Sequence, residues 1–250
     1  MAILYVASEA SELEPFSLSL TGLRKLNWPV DYAFEGILDN TRVMLVANGA
    51  GPHLAANAVE VALRAVTVAD LSSSKLEAVV STGYCGALDS SLSVNQIVVA
   101  NAIHDESNSK ILKCEPVQAD ANFATGLILS QNRVAVTASE KQELRKSGAI
   151  AVEMEAAGIF ARASRAELPF FCIKVVSDLA NESFSFDLNE MRTTEGRFAR
   201  GKIGVYALTH PKVLPGLFHL KRRSDNAAKA LGEFLVSCRI HVESGSNIAE

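Results

Sequence analysis

The stretch Glu77-Ala78-Val79-Val80-Ser81-Thr82-Gly83-Tyr84-Cys85-Gly86 decides the fold class. Its first half is a short apolar run of strand length, and it enters a glycine-containing loop at Thr82. A strand without apolar–polar alternation is covered on both faces, as in a sheet held between helices. The same style recurs at residues 3–7, 94–103, 133–137, 149–152 and 170–176. Helical patterns separate these runs. Residues 53–68 are alanine-rich and follow Pro52, which suits a first turn. Residues 156–167 form a second helix, halted before Pro169 because proline disfavours helix at the residue preceding it. Residues 191–208 and 212–237 carry the same period. Two runs, 32–38 and 42–47, flank Asp39-Asn40-Thr41 and read as a hairpin, which makes the sheet mixed. The pattern predicts an α/β protein: a single-domain, three-layer α/β/α fold with a central mixed sheet. Residues 1–240 form that domain, and 241–250 read as a disordered tail.

The totals narrow the function classes. A chain of 250 residues buries a substantial core. Its 48% hydrophobic and 21% charged residues are ordinary for a globular protein. The net charge of −4 supplies no basic footprint for nucleic acid. The four cysteines, at 85, 114, 172 and 238, show neither zinc nor disulfide spacing and read as reduced thiols in a cytoplasmic protein. The five histidines include no His-Glu-x-x-His pair, so no metal site is expected. The opening MAILYVASEASELEPF turns acidic after Ala7 and does not read as a signal peptide. No apolar run reaches the roughly 20 residues of a spanning helix.

Chemistry in α/β sheets gathers at the carboxyl ends of strands. Polar or glycine-rich sequence stands at residues 8–14, 48–51 and 82–86, at Ser177-Asp178, and at Glu153-Met154-Glu155. If the last segment is extended, both glutamates project to one side. Acids at a strand-to-helix junction also suit the positive end of a helix dipole, without any further role. Asp178 reads equally as a functional acid or as a cap. Glu9, Glu12 and Glu14 form an acidic cluster of the kind usually solvated. Cys85 reads as a small packed residue before a nucleophile. Gly49-Ala50-Gly51 begins like a dinucleotide fingerprint, but Leu54 stands where its third glycine belongs.

Two segments change these readings: Ala149-Ile-Ala-Val-Glu-Met-Glu-Ala-Ala-Gly158 and Phe171-Cys-Ile-Lys-Val-Val-Ser-Asp-Leu-Ala180. With the first strand and its Glu12, the turn Asn48-Gly-Ala-Gly51, and Ser81-Thr-Gly-Tyr-Cys-Gly-Ala-Leu88 followed by Val94-Asn-Gln-Ile-Val-Val99, they resemble the purine nucleoside phosphorylase/nucleosidase superfamily. The methylthioadenosine/S-adenosylhomocysteine nucleosidases are clear relatives by these motifs. Lys141-Gln-Glu-Leu-Arg-Lys-Ser-Gly148 and His210-Pro-Lys-Val-Leu-Pro-Gly-Leu-Phe-His-Leu220 further resemble the hopanoid-biosynthesis-associated branch. Its members are thought to remove adenine from adenosylhopane.

The resemblance implies a nucleoside phosphorylase-like fold and N-glycosidic cleavage that releases a purine, with no cofactor. It assigns Asp178 to protonating the departing base at N7, a task that wants a carboxyl group whose pKa is raised. Glu155 then grips the ribose hydroxyls, Met154 packs on the sugar, Glu153 lines the pocket and Glu12 activates water. Gly83, Tyr84, Cys85 and Gly86 pass behind sugar and base, with Ser177 beside them. Tyr84 and Cys85 depart from the small residues of the nucleosidases, which reshapes the pocket. Phe186 matches an aromatic lid residue, with a spacing from Asp178 that differs by two.

Phosphorylases of this superfamily hold phosphate with arginines in the first loop and before the glycine loop. Here residues 8–14 contain no basic residue, and Val80-Ser81-Thr82 precedes Gly83. Water is therefore the expected nucleophile, with phosphate as co-substrate if the protein is a phosphorylase instead. Lys174, Arg42 and Arg133 remain as other sources of positive charge. A non-catalytic nucleoside-binding module is the third alternative. A small nucleoside or nucleoside lipid is the expected partner, and a homodimer follows from the resemblance. The apolar-then-basic run 213–223 suits either a membrane surface or an ordinary terminal helix.

Overall fold

A computed structural model of the chain describes residues 2–68, 75–193, 197, 209–210 and 214–241. Within them the strands are β1 (Ala2–Ala7), β2 (Thr21–Lys25), β3 (Tyr32–Leu38), β4 (Thr41–Ala47), β5 (Leu76–Ala87), β6 (Ile97–Asp105), β7 (Lys110–Lys113), β8 (Ala124–Ser130), β9 (Ala151–Glu153) and β10 (Phe170–Asp178). The helices are α1 (Ala10–Ser17), α2 (Pro52–Val68), α3 (Ala138–Arg145), α4 (Ala156–Arg165) and α5 (Leu214–Ser237).

Strand β1 shows why the apolar runs lack alternation. Ala2, Leu4 and Val6 enter one core with Ala55, Ala58, Val59 and Ala62 of α2 and Ile159 of α4. Ile3, Tyr5 and Ala7 enter the opposite core with Leu13 and Phe16 of α1 and Leu231, Phe234 and Leu235 of α5. Both faces of the sheet are covered, which is the expected three-layer α/β/α arrangement. Each fully buried large side chain in these layers contributes about 1.5–3 kcal/mol relative to exposure.

The strands join in the order β10-β6-β8-β9-β5-β1-β4-β3-β2, with β7 beside β6. The sheet is mixed: β1 runs parallel to β4 and β5, while β3 and β4 form the antiparallel hairpin. A further pairing of β10 with β5 closes β5, β9, β8, β6 and β10 into a ring. Strand β5 is the hub. It pairs with β1 up to Ser81, with β9 at Gly86 and Ala87, and with β10 from Val79 to Gly86.

Several expectations are corrected here. The glycine-containing segment 82–86 is not a loop but the second half of β5, because β10 and β9 supply its ladder partners. Residues 133–137 are not a strand. The Val134 N–H and C=O bond the Asn189 side chain at 2.8 and 3.1 Å, and the Val136 N–H bonds Glu140, so side chains take the place of a neighbouring strand. The strand in that region is β8, just upstream. Of residues 8–14 only Ser8 and Glu9 precede α1; the rest belong to it, a short helix with Pro15 inside it and Leu13 and Phe16 buried. Most of the expected helix 191–208, and the expected tail from residue 242 onward, lie outside the described residues. Among the described residues no helix is long and apolar enough to cross a membrane.

Candidate active site

Glu12 stands in the first turn of α1 and is 2% exposed. Its Oε2 accepts the Ser8 N–H at 2.8 Å, the Ser8 hydroxyl at 2.9 Å and the Glu9 N–H at 2.8 Å. The Glu9 contact is the reciprocal half of a capping box. Its Oε1 accepts the Tyr84 N–H of β5 at 2.9 Å. This explains Gly83. Its φ is +114°, and a Cβ there would lie 2.6 Å from Glu12 Oε1, so the strand reaches the carboxylate only if residue 83 lacks a side chain.

The β9–α4 junction carries the two other glutamates. Glu153 Oε2 accepts the Glu155 and Ala156 N–H groups, each at 2.9 Å, and lies 2.9 Å from Lys174 Nζ. Glu153 therefore satisfies the exposed donors at the start of α4 and neutralises a buried ammonium. Glu155 takes a different direction. Its Oε1 accepts the Gly51 N–H at 3.0 Å, which ties α4 to the turn after β4. Its Oε2 lies 3.7 Å from Lys174 Nζ. Burial pushes the Glu155 carboxyl up to about 7, against the opposing pull of Lys174. Burial alone would lower Lys174, but Glu153 and Glu155 together hold its ammonium and the net shift is upward.

Asp178 ends β10 behind an irregularity in the register between Val176 and Asp178. That break presents Ser177 and Asp178 to the same region instead of alternating them. The Ser177 hydroxyl lies 2.7 Å from Asp178 Oδ1 and 3.2 Å from the Cys85 carbonyl. A Cβ on Gly86 would lie 2.9 Å from Asp178 Oδ2, so a second glycine of β5 packs against a second carboxylate. The other partner of Asp178 Oδ2 is Lys141 of α3, whose side chain is 1% exposed. Lys141 Nζ also donates to the Leu179 carbonyl at 2.7 Å. The neighbours of Asp178 are thus hydrogen-bond donors, not the apolar wall expected for an isolated acid.

These groups meet at one cavity of about 310 Å³. Glu12, Tyr84, Cys85, Gly86, Glu153, Met154, Glu155, Ser177 and Asp178 line it, together with Ser8, Ala50, Arg133, Val134 and Ala135. Gly83 stands behind Glu12 and is not in the lining. Phe186 is absent as well. Phe184 and Leu188 fill the wall where an aromatic lid was expected, and Phe186 lines an adjoining cavity on the other side of Asp178. Tyr84 turns its hydroxyl to the Ser224 carbonyl of α5 at 3.0 Å, so the added bulk at this position braces a helix. Burial pushes the Cys85 thiol up, in keeping with a packed residue. Among the described residues no group of three or more His, Cys, Asp or Glu side chains is placed to hold a metal ion.

Sequence reasoning missed the pairing of Lys141, which lies 37 residues before its partner. It also missed Val134, Ala135, Leu188 and Leu220 in the wall. No local pattern marks them, because the cavity is assembled from strands, connecting segments and α5, which lie far apart in the chain.

The Phosphorylase superfamily sequence profile matches residues 3–128 and 110–201. The chain belongs to the Phosphorylase superfamily. Within this superfamily, 5′-methylthioadenosine/S-adenosylhomocysteine nucleosidases of Staphylococcus aureus strains JH9 and Newman are 27% identical to it over 175 residues, 59% of this chain and 73% of theirs. Solved structures of nucleosidases share its fold. The S-adenosylhomocysteine nucleosidase of Streptococcus pyogenes, in complex with 5-methylthiotubericidin, aligns with a TM-score of 0.69 over 95% of both chains at 18% identity. The nucleosidase of Colwellia psychrerythraea, in complex with adenine, aligns with a TM-score of 0.66 at 18% identity, over 95% of this chain and 93% of its own.

Proposed function

We propose that the chain hydrolyses the N-glycosidic bond of a purine nucleoside and releases adenine, with water as the nucleophile. The observation that carries this reading is the hydrogen bond from the Tyr84 N–H to Glu12 Oε1. Backbone amides at such a turn are the natural seats of an anion. Here the amides of Ser8, Glu9 and Tyr84 are all taken by the Glu12 carboxylate. A phosphate would meet a negative charge in that place, whereas water would meet an acceptor. Three donors occupy Oε2, so the lone pair left for water is on Oε1.

The remaining roles follow from position. Cleavage leaves oxocarbenium character on the sugar, and the bond breaks more easily as the base is protonated. Asp178, with Ser177 beside it, is the acid for N7 of the leaving base. Glu155 lines the same cavity and accepts the ribose hydroxyls, while Met154 packs on the sugar. Glu153 Oε2 is taken by two amides and the Lys174 ammonium and Oε1 receives the Ala156 N–H at 3.1 Å, so its first service is to hold Lys174 and the start of α4.

The 5′ substituent is the apolar part of the substrate in this reading. Phe184, Leu188 and Leu220 give the cavity an apolar wall. Leu220 lies on α5, next to the exposed Phe218 and the exposed basic Lys221 and Arg222. An adenosyl lipid such as adenosylhopane, presented at a membrane surface, matches that combination. Phosphorolysis is the second reading; Arg133 is the cation of the cavity wall that would serve it, and its guanidinium is ion-paired with Glu140.

The test is a product assay on adenosine, inosine, methylthioadenosine and an adenosyl lipid, with and without phosphate. Free adenine without phosphate is expected, and its loss in Asp178→Asn. Strict dependence on phosphate, with a ribose 1-phosphate product, would replace hydrolysis by phosphorolysis. Flotation with anionic liposomes tests the surface contact.

A further inference from the structure

The Lys141–Asp178 pair is the feature that the catalytic scheme above leaves unused. Lys141 is among the largest fully buried side chains of the protein, although its residue type almost never is. Two acceptors hold its ammonium, Asp178 Oδ2 and the Leu179 carbonyl, and the Phe184 ring lies 5.6 Å away. Its position joins two spaces. Asp178 lines both the main cavity and an adjoining one of about 280 Å³, and Lys141 lines only the second. A purine in the main cavity therefore meets Asp178 and not Lys141.

We propose that Lys141 is a positioning residue for the leaving-base acid: it fixes Asp178 through Oδ2 and supplies, through it, the proton that the base takes. This rests on the hydrolytic reading of the site. An ammonium with a carboxylate and an amine with a carboxylic acid contain the same protons. They differ by one proton shift along the Nζ–Oδ2 hydrogen bond. As the C1′–N9 bond breaks, its electron pair goes to the purine ring and N7 accepts a proton from Asp178. Asp178 accepts one from Lys141 Nζ, which is left as an amine. Water in the adjoining cavity returns the proton to that amine. The water that attacks C1′ gives one proton to Glu12, which releases it to solvent as solvent reprotonates the Lys141 amine, so charge and atoms balance over the cycle. Ser177 and Gly86 complete the positioning. The Ser177 hydroxyl steadies Oδ1, and Gly86 admits Oδ2 to the space where Lys141 reaches it.

The experiment is a steady-state comparison of wild type, Lys141→Gln, Lys141→Met, Asp178→Asn and the Lys141→Gln/Asp178→Asn double variant. Adenine release from the best substrate of the nucleoside panel is the readout. General acid catalysis is worth about 10²–10⁴-fold, so Lys141→Gln and Lys141→Met should lose about 10²-fold in kcat, with KM changed less than about threefold. The double variant should lose no more kcat than Asp178→Asn alone, because Lys141 acts through that residue. A buried carboxylate left alone can unfold the single variants. Asp178→Asn strands the Lys141 ammonium in turn, so each kcat is taken per folded protein, with folding checked by circular dichroism, and the double variant, which strands neither charge, is the folded reference. A further fall of tenfold or more in the double variant, or a folded Lys141→Gln with wild-type kcat, overturns the proposal. Wild-type protein that releases no base from any nucleoside overturns the hydrolytic reading and this proposal with it. Wild-type release with an undiminished Lys141 variant overturns this proposal alone.

Discussion

Glu12 Oε1 and the Tyr84 N–H, 72 residues apart in the chain, meet at 2.9 Å and join the first turn of α1 to the middle of β5. That bond fixes the position of a carboxylate inside the cavity while leaving one lone pair on the same oxygen. It also sets the sign of charge where a nucleophile must stand.

Glu12→Gln should reduce kcat by about 10²–10⁴-fold in the adenine-release assay, since the amide cannot accept a proton from water. It should also destabilise. In either orientation the amide turns its NH2 group toward backbone donors that now bond a carboxylate oxygen, Ser8 and Glu9 on one side or Tyr84 on the other. A loss of about 1–3 kcal/mol in urea unfolding is expected for donors left unsatisfied. Full activity in a folded Glu12→Gln protein would remove Glu12 from the chemistry.

Gly83→Ala should be far more damaging than an alanine at an ordinary strand position. The new Cβ would lie 2.6 Å from Glu12 Oε1 with the backbone at a φ of +114°. Strain of that kind costs about 1–3 kcal/mol before the collision is counted. Lower thermal stability and activity are expected together. Wild-type behaviour would mean that β5 can move away from Glu12.

The pH dependence is led by Glu155, raised by burial to about 7. A carboxylate is the better acceptor for ribose hydroxyls, so kcat/KM should rise with pH through about 7. In Glu155→Gln that acidic limb should vanish along with most of the activity. The stability effect has the opposite sign. From the ordinary glutamate value up to about 7 the folded protein holds a proton that the unfolded chain has released. Stability from this group is full below that window and declines as pH rises through it. Urea midpoints at several pH values, in wild type and Glu155→Gln, measure the slope.

Lys174→Met should destabilise by about 3–5 kcal/mol, because it strands buried carboxylates without their cation. Glu153 and Glu155 both face that ammonium, at 2.9 and 3.7 Å. The acidic limb of kcat/KM should also move to higher pH, since Lys174 now pulls Glu155 downward. Denaturant unfolding and the pH–rate profile check the two effects separately.

Tyr84→Phe tests the brace between β5 and α5. The loss of one hydrogen bond, to the Ser224 carbonyl at 3.0 Å, should cost about 1 kcal/mol. The Glu12 contact is through the Tyr84 backbone and is retained, so kcat should stay within about threefold, as expected when no transition-state contact is lost. A large fall in kcat would place the hydroxyl itself in the reaction.

Much of this architecture was legible in residue order. Ile3 and Leu4 are both apolar because they enter different cores, and that pattern announces a sheet covered on both sides. The hairpin of β3 and β4 follows from its turn residues. Helix α1 was hidden by its brevity and by Pro15. Glu12 sits in a cluster that looks solvated, and its burial depends on β5, which arrives from a distant part of the chain. Glu153 and Glu155 looked like a pair. Both line the cavity, but the structure gives them different partners: Glu153 bonds the amides at the start of α4, and Glu155 reaches the Gly51 N–H. Lys141 was least legible, because one lysine among the charged residues of 140–146 carries no mark of a partner in β10.

The closure of the ring has a consequence for how this protein comes into being. The strand that completes it, β10, enters the chain more than eighty residues after β5, and it brings Asp178 with it. Pairings of such separation are formed late, because the intervening loop must give up its entropy first. During synthesis the nascent chain holds Glu12, the β5 glycines and Glu155 before Lys174 and Asp178 of β10 have been made. The cavity is complete only when still later residues, Phe184, Leu188, Leu220 and Ser224, have joined its wall, so the site closes at the end of synthesis and not at its start.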